Sequence, residues 1–298
     1  MENRSGAPVL AAVDETEGSL RALDWAADEA LRRDRRLRIV YAFDWPLYHT
    51  VPAGIPDYSI EEFARRLVDH ARDRAVERVP GLRVEAEFDV GDAAPILLLE
   101  AAEAELAVIG SRGRSRLGAA LLGSTGMEMA ATARCPVVVV PDREPKPAAG
   151  RIVVGLDGSP AAHSAAAWAF ATAAGRGAAL RAVTAHARFS SGRLGSLEVP
   201  ARYAFDSAEE AAAREEARRL QSESLAGRRE HYPQVAVEEL VEAGHPARVL
   251  VDASENADLL VVGSRGRGGF TGMLLGSVSQ SVLSHSAVPV AVLRAEKH

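Results

Sequence analysis

The chain has 298 residues, of which 47% are hydrophobic and 26% charged, and 41 acidic side chains outnumber 35 basic ones for a net charge of −6. That length suits two domains rather than one core. The acidic balance argues against nucleic-acid binding, and no apolar run approaches the ~20 residues of a membrane span.

The first six residues carry no apolar h-region, so we expect no signal peptide and a cytoplasmic protein. Residues 8–13 read as a short apolar strand, 19–31 as an amphipathic helix and 37–43 as a β-rich strand. Arg32, Arg33, Arg35 and Arg36, interrupted by Asp34, fall at that helix's end and read as a solvated, dipole-favourable face. Phe63, Leu67, Ala71, Ala75 and Val79 mark a helix over 61–79, stopped by Pro80-Gly81. Residues 82–90 alternate as a half-exposed strand and 93–105 form a helix. Residues 106–109 and 137–140 are buried strands with a helix between them. Cys135, the single cysteine, excludes an intramolecular disulfide framework and reads as a small apolar residue entering the last of these strands. Three prolines and alternating charge over 141–150 read as a stiffened connection. We therefore expect domains over 1–143 and 151–298, with a linker at 144–150.

The second half repeats the first, with its long helix over 209–225. Asp14 is followed eleven residues later by Trp25, and Asp157 at the same interval by Trp168. The offset between halves is 143 residues there and 153 from Gly91 and Gly244 onward, so about ten extra residues lie between those points. Ser190 to Ser196, rich in glycine and serine, is the natural place for them. Strands alternating with helices imply, in each half, a parallel sheet covered on both faces.

Each half also carries one glycine signature after a buried strand. Gly110-Ser111-Arg112-Gly113 is followed nine residues later by Gly123-Ser124, and Gly263-Ser264-Arg265-Gly266 at the same spacing by Gly276-Ser277. Glycines let backbone N–H groups approach an anion, and a helix N-terminus favours negative charge. The pattern therefore suits a phosphate cradle, compatible with Ser124 and Ser277 as N-cap hydroxyls. Asp14 and Asp157 end the first strand of each half. They read either as turn carboxylates or as contacts to a base or ribose, because a carboxylate beside phosphates needs an intervening Mg²⁺. In parallel sheets ligands sit outside the carboxyl ends of the strands, which groups the aspartates and glycines into one cleft per half. The Walker lysine is missing, and no catalytic constellation or protein metal cluster stands out; His245 reads as a solvent-facing turn residue.

Assembled in this way, the residues resemble a tandem universal stress protein over nearly the whole chain. The resemblance implies two tandem doubly wound, Rossmann-like five-stranded domains whose last strands pair antiparallel as a pseudo-dimer, and it implies ATP, with Mg²⁺ through its phosphates, as ligand. Carried over by position, Leu156, Asp157 and Ala185 would meet adenine. Val262, Gly263, Arg265 and Gly266 would line ribose and phosphates, with Gly276, Ser277 and Val278 closing over the phosphates. The matching first-half positions are Val13, Asp14, Ala42, Ile109, Gly110, Arg112, Gly113, Gly123, Ser124 and Thr125. The first half departs from the pattern at Ala12, Glu15 and Thr125. A left-handed backbone at Glu15 would cost on the order of 1 kcal/mol, so the second site should be the tighter.

The expected role is regulatory nucleotide binding in a stress response, with two tandem chains able to form a homodimer. The competing readings are a slow Mg²⁺-dependent ATP hydrolase or phosphotransfer enzyme, and a sensor of another adenine ligand such as cyclic AMP.

Overall fold

A computed structural model describes residues 6–43, 58–111, 122–144, 147–186, 208–268 and 274–295. Arg112 and Gly113, the serine-rich stretch from Ser190 to Ser196, and Gly269 and Phe270 lie outside them. The first half runs β1 (Val9–Val13), α1 (Glu17–Arg32), β2 (Leu37–Phe43), α2 (Tyr58–Arg78), β3 (Val84–Val90), α3 (Ala93–Glu103), β4 (Leu106–Gly110), α4 (Ser124–Thr132) and β5 (Val137–Val140). The second runs β6 (Arg151–Gly155), α5 (Pro160–Arg176), β7 (Ala179–His186), α6 (Ala208–Leu225), a single turn α7 (Arg228–His231), β8 (Val237–Ala243), α8 (Pro246–Ser254), β9 (Leu259–Gly263), α9 (Ser277–His285) and β10 (Val290–Leu293). The turn α7 has no signal in the apolar pattern. It follows Gly227, whose φ of 72° redirects the chain after α6.

All ten strands join one sheet in the order β3-β2-β1-β4-β5-β10-β9-β6-β7-β8. Every pairing is parallel except the central one, where Val139 faces Val290 and Val137 faces Val292 across an antiparallel β5–β10 seam. The apolar runs lie in the middle because only there are both faces of a strand covered. Val138 and Val140 enter the layer under α1 and α5, and Val137 and Val139 the layer under α4 and α9. The outer strands β3 and β8 carry Glu85, Glu87, Asp89, Glu238, Glu239 and Glu242, charges that discourage a further chain from pairing there.

The arginine run ending α1 is a solvated face only in part: Arg32 and Arg36 are about 40% exposed, but Arg33, contrary to the expectation from sequence, packs inward. Arg33 bonds Glu29 at 2.7 Å and Glu105 at 2.9 Å, and its guanidinium lies 5.2 Å from the ring centroid of Trp168 in the other half. Arg176, at the end of α5, returns the contact on Trp25 at 5.2 Å and bonds Glu29 at 2.7 Å. Residues 25 and 168, and 33 and 176, are each 143 apart, so the repeat makes the exchange reciprocal. Glu29, 1% exposed, sits between the two arginines. Burial alone would raise its pKa, but the charges of Arg176 and Arg33 prevail and hold it below the ordinary value. Burial acts the other way on Arg176 and lowers its pKa. A guanidinium nevertheless keeps its proton in a protein, so the pair stays ionised.

Candidate functional site

The first strand of each half ends in the same device. Asp14 Oδ1 accepts the backbone N–H of Thr16 at 2.9 Å, and Asp157 Oδ1 that of Ser159 at 3.0 Å. Thr16 and Ser159 then cap α1 and α5, their hydroxyls accepting from Ser19 and Ala162. Both aspartates thus hold a turn at the mouth of the sheet. The turns differ after the aspartate. Gly158 has φ 74°, and a Cβ there would lie 2.7 Å from Leu220 of α6. Glu15 does not adopt a left-handed conformation: Asp34 is the one non-glycine residue with positive φ among the described residues. The strain expected at Glu15 is therefore absent, because its loop takes another path and its carboxylate accepts from the Tyr41 hydroxyl at 2.9 Å.

In the second half the glycine loop is tied to this turn. Asp157 Oδ2 accepts from the Arg267 amide at 3.1 Å, and Ser159 Oγ donates to the Arg265 carbonyl at 3.2 Å. At Gly266 a Cβ would stand 2.5 Å from Asp157 Oδ2, so any larger residue has to displace the carboxylate that holds the loop. Ser279 Oγ donates to the Gly263 carbonyl at 2.6 Å and so fixes α9 against the end of β9.

These contacts enclose a cavity of ≈ 120 Å³ at the carboxyl ends of β6, β7 and β9. Leu156, Asp157, Ala185, Val262, Gly263, Arg265, Gly266 and Val278 line it together. Gly276 and Ser277 stand behind Val278, as the N-cap and first residue of α9. The sequence reasoning missed Ser159, Val183, Leu250 and Ser279 on the same wall. Two of these had a signal: Ser159-Pro160 is a helix start, and Val183 shares the strand face of Ala185. Leu250 had none, because it reaches the cavity from α8 across the sheet, filling the space beside Gly155 where a Cβ would lie 2.9 Å away.

In the first half the corresponding residues occupy corresponding places. Val13 and Asp14 lie at the end of β1, Ala42 in β2, and Ile109 and Gly110 at the end of β4. Gly123 is the N-cap of α4, with Ser124 and Thr125 in its first turn. Arg112 and Gly113 lie outside the described residues.

Ser124 and Ser277 are not N-caps, as had been expected; Gly123 and Gly276 are, and no side chain caps either helix. Each N-cap amide instead bonds the loop, Gly123 to the Ser111 carbonyl at 3.2 Å and Gly276 to that of Ser264 at 2.8 Å. Among the described residues, the amides of Ser124, Thr125 and Gly126, and those of Ser277, Val278 and Ser279, have no protein acceptor. Open first-turn amides next to glycine backbone are free to donate to an anion. Among the described residues no cluster of three His, Cys, Asp or Glu is arranged for a metal ion, and no helix is long and apolar enough to cross a membrane.

Comparison with known proteins gives one consistent result. The profile of the universal stress protein family matches residues 7–141 and again 149–294. Universal stress protein Rv2005c of Mycobacterium tuberculosis is 37% identical over 295 residues, covering 96% of each chain. Universal stress protein Rv2623 of the same organism is 34% identical over 297 residues at the same coverage. Among solved structures, a universal stress protein from Archaeoglobus fulgidus aligns with a TM-score of 0.69 at 21% identity, over 98% of this chain and 97% of that one, which supports the fold.

Proposed function

This chain belongs to the universal stress protein family, and from that premise we propose that it binds an adenine nucleotide, ATP with Mg²⁺, in a cleft of each half. In this reading residues 1–143 and 151–298 are the two binding units and 144–150 their linker. The observation that carries it is the second-half cavity, where an apolar wall of Leu156, Ala185 and Val262 adjoins Gly266 and the open amides of α9. The wall suits a purine ring, and the amides and the helix dipole suit phosphate oxygens. Arg265, exposed at the loop, adds positive charge, and Mg²⁺ would be held chiefly by the nucleotide's own phosphates. Occupancy then biases the conformation of the loop between β9 and α9, which is the regulatory output.

The second half is the tighter site. Its loop is already held by Asp157 and Ser159, so less order is lost on binding, while Glu15 places a negative charge where the second half has Gly158. Titration calorimetry with Mg-ATP is expected to resolve two sites differing about tenfold in Kd. Gly266→Ala should remove the tighter one and Gly113→Ala the weaker. Equal losses from the two variants would sink the inequality. The binding itself fails if gently isolated protein carries no nucleotide by mass analysis and excess Mg-ATP leaves its melting temperature unchanged. Steady ATP turnover that disappears in Asp157→Ala would instead make the chain an enzyme, and a preference for cyclic AMP in a parallel titration would change the ligand.

A further inference from the structure

A cavity of ≈ 350 Å³ lies at the seam between the halves, at the amino ends of β7 and β10 and so at the opposite end of the second-half strands from the cleft described above. Its size falls within the range of small-molecule sites. We propose that it is a separate ligand site, taking a compact organic anion with an aromatic or similarly flat apolar body and one carboxylate or sulfonate group.

The walls divide into two chemistries. Trp25, Val140, Pro141, Val288 and Pro289 form an apolar floor contributed by both halves, and the guanidinium of Arg176 already covers one face of the Trp25 indole. Arg21, Arg32, Arg143 and Arg176 supply the positive side. Most carboxylates in the wall are committed elsewhere. Asp24 is held by Arg74 at 2.8 and 2.7 Å, Asp28 by Arg78 at 2.8 Å through both oxygens, and Asp258 by the amides of Ala149 and Arg151 at 2.6 and 3.0 Å. Glu144 is exposed at the rim.

Donors remain in excess. A guanidinium has five N–H groups; Arg32 uses one on Glu29, and the side chain of Arg143 has no partner among the described residues. The Nε atoms of Arg21 and Arg176 are buried without an acceptor, a further sign that hydrogen-bond acceptors are scarce here. An organic anion supplies what the wall lacks, an acceptor for the free guanidinium donors and a flat surface for the floor.

Among the described residues the pseudo-symmetric location is built differently. At the position related to Asp258 by the 153-residue offset stands Glu105, which bonds Arg33 at 2.9 Å and Arg35 at 2.5 Å and so neutralises the pseudo-symmetric location. The cavity also touches the first glycine loop indirectly. Arg21 pairs with Asp142, whose amide donates to Ser111 Oγ at 3.1 Å.

Equilibrium dialysis of the full chain against 2-naphthoate tests the assignment. One equivalent should bind per chain, saturating Mg-ATP should not displace it, and the neutral 2-naphthalenemethanol should bind at least about tenfold more weakly. Arg143→Ala, at an exposed position, should weaken binding about tenfold without altering the thermal unfolding of the protein. Ala287→Phe, which fills the cavity, should abolish it. Binding that does not saturate, that survives both substitutions, or that Mg-ATP displaces would overturn the proposal, the last by assigning the probe to the nucleotide cleft.

Discussion

Replacing Glu29 by alanine is expected to destabilise the protein by about 3–5 kcal/mol, because it takes the carboxylate from between two largely buried guanidinium groups, leaving Arg33 with Glu105 alone and Arg176 with no carboxylate among the described residues. Glu29 is 1% exposed and bonds Arg33 and Arg176 at 2.7 Å each, so solvent screening does not reduce this figure. Urea denaturation would measure it, and a change under 1 kcal/mol would show that the guanidinium groups relax into water instead. The same residue sets a pH dependence. Its folded pKa lies below the ordinary carboxyl value of 4.5, so its contribution is complete above that value and is lost as pH falls through the lower folded one. The Glu29→Ala protein should lack this part of the acid transition. Pseudo-symmetry offers a rescue. Thr172 lies 143 residues from Glu29, 5% exposed, and accepts from Arg33 at 3.3 Å. The double variant Glu29→Thr with Thr172→Glu should therefore recover at least half of the lost stability, because the carboxylate returns between the same two arginines from the other helix.

Gly263→Ala should cost about 1–3 kcal/mol as an overpacking substitution. A Cβ at that position would stand 2.9 Å from the carbonyl carbon of Ala161 and 3.0 Å from the amide of Ala162, backbone atoms that move only if α5 moves. The related substitution Gly110→Ala should cost less, since the nearest atoms there, in Gly18, lie at 3.1 Å. The first substitution should also weaken nucleotide binding in the second half, because α5 carries Ser159 and Asp157 at its start and the end of β9 forms the cavity wall. Parallel unfolding curves for the two variants would check the order; an equal or reversed order would mean that the end of β9 yields more readily than its contacts indicate.

Much of this was legible in the sequence, for local reasons. Short apolar runs between helical patterns can only be strands buried on both faces, which is why β2 and β5 fall at the predicted residues. The repeat placed two equivalent glycine loops after equivalent strands, and positions 156, 157, 185, 262, 263, 265, 266 and 278 meet around one cavity because strand ends in a parallel sheet are neighbours. Helix starts were less legible. Ser124 and Ser277 have the composition of N-caps, yet the glycine before each takes that position and leaves the amides open.

The sequence by itself determined the strands and long helices, the duplication and the grouping of glycines and aspartates, because these follow from periodicity and from the stereochemistry of single residues. Tertiary structure alone decided the rest. It made Arg33 and Arg176 the core of the seam rather than its solvated edge, turned Glu15 toward Tyr41, and closed a cavity between Trp25 and Pro289. Each depends on partners between 26 and 264 positions apart in the chain, brought together by the antiparallel pairing of β5 with β10 or by adjacent strands of the sheet. The charge of an arginine can be read from its letter; whether water or a buried carboxylate answers that charge depends on what the fold packs against it.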